Sequence, residues 1–287
     1  MGWQTDMIRR HPLAIFFALS YGISWLLWAP LCLPAFGVGL LPVLPFQHAL
    51  GALGPIGAAL ITSLMHDGVA GPRDLLRRAF AWRGQLRWEA VALLVPFALL
   101  ALALVLEAVL NHGSVPWAGF GTSREFPQFS ALGFLAYNIV SFGLGEEMGW
   151  RGFALPRLQS RHSALVATLL LTAGWALWHL PLFLYRPGYT SMGAAGIAGW
   201  LFSLLTGAVL LTWLYNESRG SILVAALFHA TVDVAFTSSV SSPFVVNAIG
   251  AVITCWGIAM VVIAGPRCLA RSGKVVRPAH DRAGAPP

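Results

Sequence analysis

The sequence has little charge. Aspartate, glutamate, lysine and arginine make up 10% of its 287 residues, hydrophobic residues make up 57%, and the mean hydropathy is +0.72. Since soluble domains contain about 25% charged residues, this composition excludes an ordinary soluble domain and indicates an integral membrane protein. A charge in the hydrocarbon core costs roughly 2.5–3.5 kcal/mol on insertion scales, so each ionisable residue inside an apolar segment requires an explanation.

Cysteine is also scarce, and the chain shows no recognisable cleavable leader. Cys32, Cys255 and Cys268 form no CxxC pair, which argues against a disulfide framework and against a thiolate metal site. The N-terminal apolar run, residues 13–36, is too long for the hydrophobic region of a signal peptide and has no clear small-x-small cleavage site. We therefore interpret this run as a retained first membrane span.

Eight apolar segments are long enough to cross a bilayer as helices, which takes about 20 residues. The prediction is an all-α, polytopic membrane helix bundle in which residues 1–266 form a single domain, because no internal repeat is apparent. The predicted spans are residues 13–36, 46–65, 90–110, one segment starting near residue 129, 163–185, 192–215, 222–240 and 244–264.

The positions of the basic residues predict the orientation of the bundle. If the N-terminus is cytoplasmic, 16 of the 18 lysine and arginine residues fall on the cytoplasmic side, and only Arg124 and Arg186 fall outside. This asymmetry follows the positive-inside rule and places both termini in the cytoplasm. The net charge of +7 is then explained by basic residues at the cytoplasmic surface of the lipid bilayer, and no nucleic-acid partner is needed to explain it. The predicted location is the cytoplasmic (plasma) membrane of a bacterial cell.

Two basic segments lie outside the predicted spans. Residues 72–83 alternate apolar and basic residues at roughly helical spacing, and two interpretations stay open: an amphipathic helix on the inner leaflet or an ordinary basic loop. The tail, residues 267–287, is short, basic and rich in proline and glycine, so it is predicted to be disordered.

The fourth span contains two adjacent carboxylates and a basic residue. Glu147 and Arg151 are four residues apart, so on a helix they can form an ion pair. Glu146 is offset from Glu147 by about 100° and can point into the bundle. Adjacent carboxylates in a low dielectric resist joint ionisation, so we expect an ionised Glu147 beside Arg151 and a Glu146 that can accept a proton. The alternative is that Arg151 begins the cytoplasmic loop and both glutamates lie at the interface.

Two further spans contain histidines. His179 lies on the fifth, and His229 and Asp233 share one face of the seventh because they are four residues apart. For His179 to meet Glu146 at the same depth, the fourth helix must continue towards residue 158, with a kink near Pro156. Histidines and carboxylates at compatible depths indicate a reaction centre rather than unrelated structural hydrogen bonds.

Three other residues are weaker candidates for a substrate pocket. Trp175 and Trp178 flank His179 and can line its surroundings. Asn138 lies eight residues before Glu146 on roughly the same helix face, although its type is more typical of a helix-packing hydrogen bond.

Two chemistries fit these residues. Zn²⁺ could be bound with an open position for water by ligands drawn from Glu146, His179, His229 and Asp233. Alternatively, Glu146 could activate water directly as a general base, while a histidine and Asp233 hold the oxyanion. Both routes lead to amide hydrolysis. The sequence contains no HExxH and no GxSxG motif, and residue spacing does not choose between a metal-assisted and a metal-free route.

In chain order, the polar residues form three short motifs. Residues 146–151 fit EExxxR, residues 175–179 read WxxxH and resemble FxxxH, and residues 229–233 fit HxxxN/D. This ordered set inside hydrophobic spans resembles the CPBP family of intramembrane proteases, which includes the type II CAAX prenyl endopeptidases and bacteriocin-processing or immunity-associated membrane proteins. The resemblance covers about residues 129–236. It implies an endopeptidase that hydrolyses a membrane-associated substrate, for example one with a CAAX-like C-terminus or a leader peptide.

The resemblance also implies a role for each motif residue. By this resemblance, Glu146 is the water-activating carboxylate and His179 assists it. Glu147 is the second glutamate of the motif and is held by Arg151. His229 and Asp233 complete the site as oxyanion stabilisers or metal ligands.

Two positions depart from the pattern of the family. Trp175 replaces phenylalanine, which we expect to change only the shape of the pocket. Asp233 stands where prenyl-processing relatives have asparagine. An aspartate donates a hydrogen bond only when it is protonated, so Asp233 suits a metal ligand better than an oxyanion donor.

Two functions outside catalysis use the same residues. A proton- or cation-coupled transporter also needs intramembrane carboxylates and histidines, and it predicts inverted repeats and unwound helices at mid-membrane. A non-catalytic membrane scaffold of the bacteriocin-immunity type would keep these residues as structural hydrogen bonds. The sequence identifies neither the substrate nor a requirement for a prenyl chain.

Overall fold

Helices provide the regular structure of the chain. The computed structural model describes residues 11–39, 41–80 and 86–277, and within these ranges the only β-type pairing is an isolated bridge between Ser123 and Ser238. The all-α prediction is confirmed. The α-helices are α1 Pro12–Cys32, α2 Gln47–Ala52, α3 Gly54–Asp67, α4 Ala70–Phe80, α5 Leu86–Leu110, α6 Ala131–Asn138, α7 Gly145–Gly149, α8 Leu155–Gln159, α9 Ala164–Trp178, α10 Leu182–Tyr185, α11 Ala194–Glu217, α12 Ile222–Thr237 and α13 Pro243–Ile263.

Six helical segments of the described residues are long and apolar enough to cross a membrane. They are Pro12–Phe36, Gln47–Asp67, Leu86–Leu110, Ala164–Tyr185, Ala194–Glu217 and Pro243–Ile263. The chain is therefore a polytopic helix bundle, and each of these segments overlaps a predicted span. A short 3₁₀ turn at Leu33–Phe36 extends the first of these segments, and another at Trp117–Gly119 lies in the connection between α5 and α6.

The other two predicted spans differ from a regular membrane-crossing helix. The seventh, α12, has only 16 residues, and most of its side chains are buried. A helix enclosed by protein does not have to match the full thickness of the hydrocarbon core. The fourth is a continuous helical run over residues 131–159, called span 4 below, in which α6, α7 and α8 are joined by π-helical segments at Ile139–Leu144 and Trp150–Ala154.

Span 4 continues past the glutamates, as predicted from the depth of His179. The second π segment ends just before Pro156, where a kink was predicted. Proline has no N–H for the carbonyl four residues earlier, which here belongs to Gly152. The Arg78 Nη2 atom donates to the Gly152 carbonyl at 2.8 Å, so a side chain from α4 replaces the missing donor.

Residues 72–80 of the segment 72–83 belong to helix α4, so the interpretation of these residues as an ordinary loop is wrong. In α4, the Leu75 and Ala79 side chains are buried, while Leu76 and Phe80 are exposed. This is the pattern of an amphipathic helix, and its exposed apolar side chains suit a membrane surface. Residues 81–83 of the predicted segment lie outside the described residues.

The tail was predicted to be disordered, but residues 267–277 instead pack against the bundle. Leu269 is fully buried, and the Lys274 ammonium donates to the carbonyls of Gln159 and His162 at 2.6 and 2.7 Å. Arg277 pairs with Asp74 of α4. The composition of the tail gave no sign of these contacts, because its partners are carbonyls and a carboxylate on distant helices. Residues 278–287 of the predicted tail lie outside the described residues.

Candidate active site

Glu146 lies on span 4 with its carboxylate held by two indoles. Its Oε2 atom accepts from Trp175 Nε1 at 2.8 Å and from Trp150 Nε1 at 3.3 Å. Only 4% of the residue is exposed. Because Trp175 belongs to α9, this contact confirms that span 4 and α9 bring their polar residues to the same depth.

A buried cluster of charges lies directly behind Glu146. The Arg151 Nη1 atom donates to Glu147 Oε1 at 2.8 Å, and His229 Nδ1 lies 2.8 Å from the same oxygen. Glu147 and Arg151 are fully buried, and Arg151 lies within the helical run of span 4, so Arg151 does not begin a loop. The Arg151 guanidinium also lies 4.8 Å from the centre of the Trp175 ring, which is a cation–π distance.

His179 is fixed by its own helix. Its Nδ1 atom lies 2.7 Å from the Trp175 carbonyl, and a carbonyl can only accept, so Nδ1 carries a proton. This contact leaves Nε2 as the nitrogen that can exchange a proton with a substrate. Aromatic rings surround the imidazole, with centroids 5.0 Å away at Trp178, 5.6 Å at Trp200 and 6.2 Å at Tyr189.

His229 lies between two carboxylates. Its Nδ1 donates to Glu147, and its Nε2 is 3.6 Å from Asp233 Oδ2. The second distance is too long for a hydrogen bond but within the range of an ion pair. The Asp233 side chain is 33% exposed, whereas Glu147 on the other side of the ring is fully buried. The four-residue spacing thus places His229 and Asp233 on one face, as predicted.

A cavity of about 340 Å³ adjoins this cluster, and Glu147, Arg151 and His229 lie behind its wall. Glu146, His179 and Asp233 lie on its wall together with Asn138 and Trp178. The Asn138 amide also donates to the Phe134 carbonyl at 2.8 Å, one turn earlier on the same helix, so this bond does not join two helices as a helix-packing bond would.

Trp175 does not have the role predicted for it. Its side chain is absent from the lining of the cavity and lies behind the wall, where it contacts Glu146, Arg151 and His229. The expectation that it shapes the pocket is therefore wrong. The indole N–H, which phenylalanine lacks, bonds the Glu146 carboxylate instead.

The predicted zinc ligands do not form a metal site in this arrangement. In the described part of the chain, no group of three or more His, Cys, Asp or Glu side chains is placed to hold a metal ion. A tetrahedral zinc site needs three or four converging ligands, so we derive no step through a metal.

Sequence reasoning missed several residues around the cavity. Trp150 occupies one of the unspecified positions of EExxxR, and its indole donates to Glu146. Glu125 and Arg186, in two separate loops, form a bidentate ion pair on the cavity wall at 2.6 and 2.7 Å. No periodicity could pair residues that are 61 positions apart.

Comparison with known proteins agrees with the motifs. Residues 127–235 match the family model described as type II CAAX prenyl endopeptidase Rce1-like. The chain is also 26% identical to CAAX prenyl protease 2 of Methanococcus maripaludis, in a match that covers 76% of this chain and 82% of the relative. The family resemblance predicted from the three motifs is confirmed, and the matched segment nearly coincides with the predicted motif core. The family model and the relative are both named as peptidases, which is the predicted class of enzyme.

Proposed function

We propose that this chain, whose residues 127–235 match the Rce1-like endopeptidases, is an intramembrane endopeptidase that hydrolyses a peptide bond of a membrane-associated substrate. The observation that carries the proposal is the position of Glu146. Its carboxylate lies on the wall of a 340 Å³ cavity, beside His179 and Asp233, and two indole donors hold its Oε2 atom. A carboxylate that is fixed and faces a cavity suits a general base.

The proposed reaction is a water attack on the scissile carbonyl. Glu146 removes a proton from water, the water oxygen bonds to the carbonyl carbon, and a tetrahedral oxyanion forms. The protonated Glu146 then gives its proton to the amide nitrogen, the C–N bond breaks, and a carboxylic acid and an amine leave. Each proton and electron pair is accounted for without a metal or a covalent enzyme intermediate.

The other residues support these steps. His179 keeps Nδ1 on the Trp175 carbonyl, so its Nε2 can orient the water or relay the proton. His229, fixed by Glu147, lies behind the wall with its Nε2 atom 3.6 Å from Asp233, which lines the cavity, and we propose that this nitrogen stabilises the oxyanion. Asp233 lies 3.6 Å from that nitrogen as a charge partner of His229, so it does not have to donate a hydrogen bond itself. This assignment removes the difficulty that an aspartate raises in the place of asparagine.

The buried pair of Glu147 and Arg151 is proposed to position the site. It contributes no group to the cavity wall, but its shared oxygen fixes the ring of His229. We place the protein in the plasma membrane of a bacterial cell, with a CAAX-like or leader-bearing peptide as its substrate.

The test is digestion of a peptide library by detergent-purified full-length protein, read by mass spectrometry. We expect cleavage by wild type and a loss of about 10²- to 10⁴-fold, the usual contribution of a general base, in Glu146→Gln. Glu89→Gln is the matched control, because Glu89 is also a buried glutamate but lies on α5 away from the cavity wall. Equal cleavage by wild type and Glu146→Gln would overturn the mechanism.

Two arms of the same experiment address the other hypotheses. A strong chelator should leave cleavage unchanged; loss that Zn²⁺ restores would make the site metal-dependent. If no peptide is cleaved by wild type, ion flux into proteoliposomes separates a transporter from a scaffold. The transporter alternative predicted unwound helices at mid-membrane, whereas span 4 stays helical through its two π segments.

A further inference from the structure

Two cavities of the molecule meet at an ion pair. The cavity beside Glu146 adjoins a second cavity of about 600 Å³, and Glu125 and Arg186 lie on the walls of both. The other residues common to the two walls are His48, Phe126 and Tyr137. The proposed hydrolysis uses none of these five residues, so the charged pair between the cavities requires another explanation.

Arg186 is held in place by its backbone. Its N–H donates to the Leu182 carbonyl at 2.8 Å, and its own carbonyl accepts from the N–H groups of Tyr189 and Thr190 at 3.1 and 3.2 Å. A guanidinium that is positioned before its ligand arrives binds that ligand with a smaller loss of conformational entropy. The backbone contacts therefore prepare Arg186 to bind an anion in the cavity.

Glu125 is the more exposed partner of the pair. The exposed fraction of its side chain is 46%, against 25% for Arg186. Its two carboxylate oxygens accept from the two terminal nitrogens of Arg186 at 2.6 and 2.7 Å, which is the bidentate geometry that a guanidinium forms with carboxylates in general. Because ion pairs that water can reach contribute little to stability, another carboxylate can replace Glu125 at a small cost.

The charges on this part of the wall favour an anionic ligand over a cationic one. Arg124 precedes Glu125 in the chain and also lies on the wall of the cavity beside Glu146, so two arginines accompany one glutamate here. The other carboxylates of that wall, Glu146 and Asp233, belong to the catalytic cluster. A cationic ligand that paired with Glu125 would have to displace Arg186 and would be repelled by Arg124.

We propose that Arg186 is a specificity-determining residue, and that it binds a carboxylate group of the substrate in exchange for Glu125. The carboxylate is either the C-terminus of the peptide or the side chain of an aspartate or glutamate. This inference rests on the proposed peptidase function, because it describes how the substrate is held while Glu146 acts.

Affinity selection of peptides by detergent-purified full-length protein tests the proposal. Every protein in the experiment carries Glu146→Gln so that bound peptides stay intact, and the retained peptides are quantified by mass spectrometry. The probe is a peptide library made in two forms, one with a C-terminal carboxylate and one with a C-terminal amide. Each acidic peptide has a partner in which asparagine or glutamine replaces aspartate or glutamate.

We expect carboxylate-bearing peptides to be retained roughly tenfold more than their amide partners, because a bidentate bond between charged groups is strong. Arg186→Gln should abolish this preference. Arg186→Lys keeps the charge but loses the planar fork, so it should restore only part of the preference. Arg161→Gln is the matched control: Arg161 is an exposed arginine that is absent from both cavity walls, and its loss should leave the preference unchanged.

Glu125→Gln separates the exchange of carboxylates from a structural role of the pair. Removal of the competing carboxylate should tighten the binding of carboxylate-bearing peptides by about two- to fivefold, the effect of a partly exposed ion pair. If the pair only ties two loops together, Glu125→Gln and Arg186→Gln should both weaken the binding of every peptide. That result, equal retention of carboxylate and amide peptides, or retention of no peptide would overturn the proposal.

The two library comparisons distinguish the sources of the carboxylate. A preference confined to the C-terminal carboxylate assigns Arg186 to the end of the peptide, and a preference confined to the acidic side chains assigns it to an internal residue; each supports the proposal. Cleavage of the retained peptides by protein with Glu146 intact is measured in parallel. Binding that depends on Arg186 without any cleavage would reject the peptidase function alone, and cleavage without a carboxylate preference would reject this inference alone.

Discussion

At the scale of single residues, Trp175 provides a test of how Glu146 is held. Trp175→Phe removes the N–H donor at 2.8 Å and restores the residue type found in the family motif. A hydrogen bond to a charged group contributes about 1.5–3 kcal/mol, and each 1.36 kcal/mol changes a rate tenfold. We therefore expect kcat to fall by roughly tenfold or more, with KM nearly unchanged because the indole does not line the cavity.

Steady-state kinetics of purified Trp175→Phe beside Trp213→Phe checks this prediction. Trp213 packs between Trp88 and Trp256, so its substitution tests the general effect of losing an indole. A change confined to KM, or an equal loss of kcat in the two variants, would show that Trp175 does not position Glu146.

The buried pair gives a second prediction at this scale. Arg151→Met leaves the fully buried Glu147 carboxylate without its cation, and breaking a buried ion pair costs about 3–5 kcal/mol. Glu147→Gln/Arg151→Met removes both charges and should be less destabilising than the sum of the single variants. Unfolding of the four proteins in one detergent measures this coupling. Additive effects would mean that the two side chains do not stabilise each other.

Residue types and spacing predicted most of this site. Four-residue spacing placed Glu147 beside Arg151 and His229 near Asp233, because the helix geometry alone fixes those neighbours. Residue types and spacing could not predict contacts between separate helices. That Glu147 Oε1 is shared by Arg151 and His229, and that Trp175 donates to Glu146, depends on how span 4 packs against α9 and α12.

At the scale of helices, hydropathy located every span but did not predict the π segments of span 4. Gly149, the last residue of α7 before the second π segment, packs closely against α3. A Cβ atom on Gly149 would lie 2.7 Å from the Pro55 carbonyl oxygen, which belongs to the backbone of α3 and cannot rotate away. Small residues at such contacts allow helix backbones in membranes to approach closely. A pattern of apolar residues records none of this, because it contains no information about the neighbouring helix.

Gly149→Ala tests the importance of this close approach. The added methyl group must displace α3 or span 4, and overpacking of this kind costs about 1–3 kcal/mol. We expect a lower melting temperature and reduced peptidase activity, since Gly149 lies between Glu147 and Arg151. Gly207→Ala on α11 is the matched control: its Cβ would meet nothing within 4 Å, and alanine favours a helix over glycine. Equal stability of Gly149→Ala and Gly207→Ala would contradict the packing argument.

At the scale of the whole molecule, the segment 267–277 joins several helices at one end of the bundle. Arg277 pairs with Asp74, the Gln159 and Asn216 amides bond each other at 2.9 and 3.1 Å, and Val275 N donates to Asn216 at 3.0 Å. The last residues of the described chain thereby connect α4, span 4 and α11. Composition predicted disorder for this segment because the tail is short, basic and rich in proline and glycine, whereas its order depends on polar partners that three other segments provide.

The ion pairs of Asp74 make the stability of these contacts dependent on pH. Burial acts to raise its pKa, but the charges and hydrogen bonds of Arg78, Arg277 and Arg77 outweigh burial and hold the pKa below its ordinary value. A carboxyl group with a lowered folded-state pKa stabilises the protein above the unfolded value, about 3.9 for aspartate. That stability is lost as the pH falls below this value through the lowered folded-state pKa.

Asp74→Asn should therefore be less stable than wild type at pH 7, and the difference should shrink as the pH falls below about 4. Unfolding in detergent between pH 3 and pH 7, followed for both proteins, measures this difference. Arg277→Gln serves as the control for the assignment, because in that background Asp74→Asn should cost less at pH 7. A difference between Asp74→Asn and wild type that persists unchanged at the lowest pH would mean that α4 is held by packing rather than by the Asp74 charge. In that case the order of residues 267–277 would have to come from their contacts with Gln159 and Asn216.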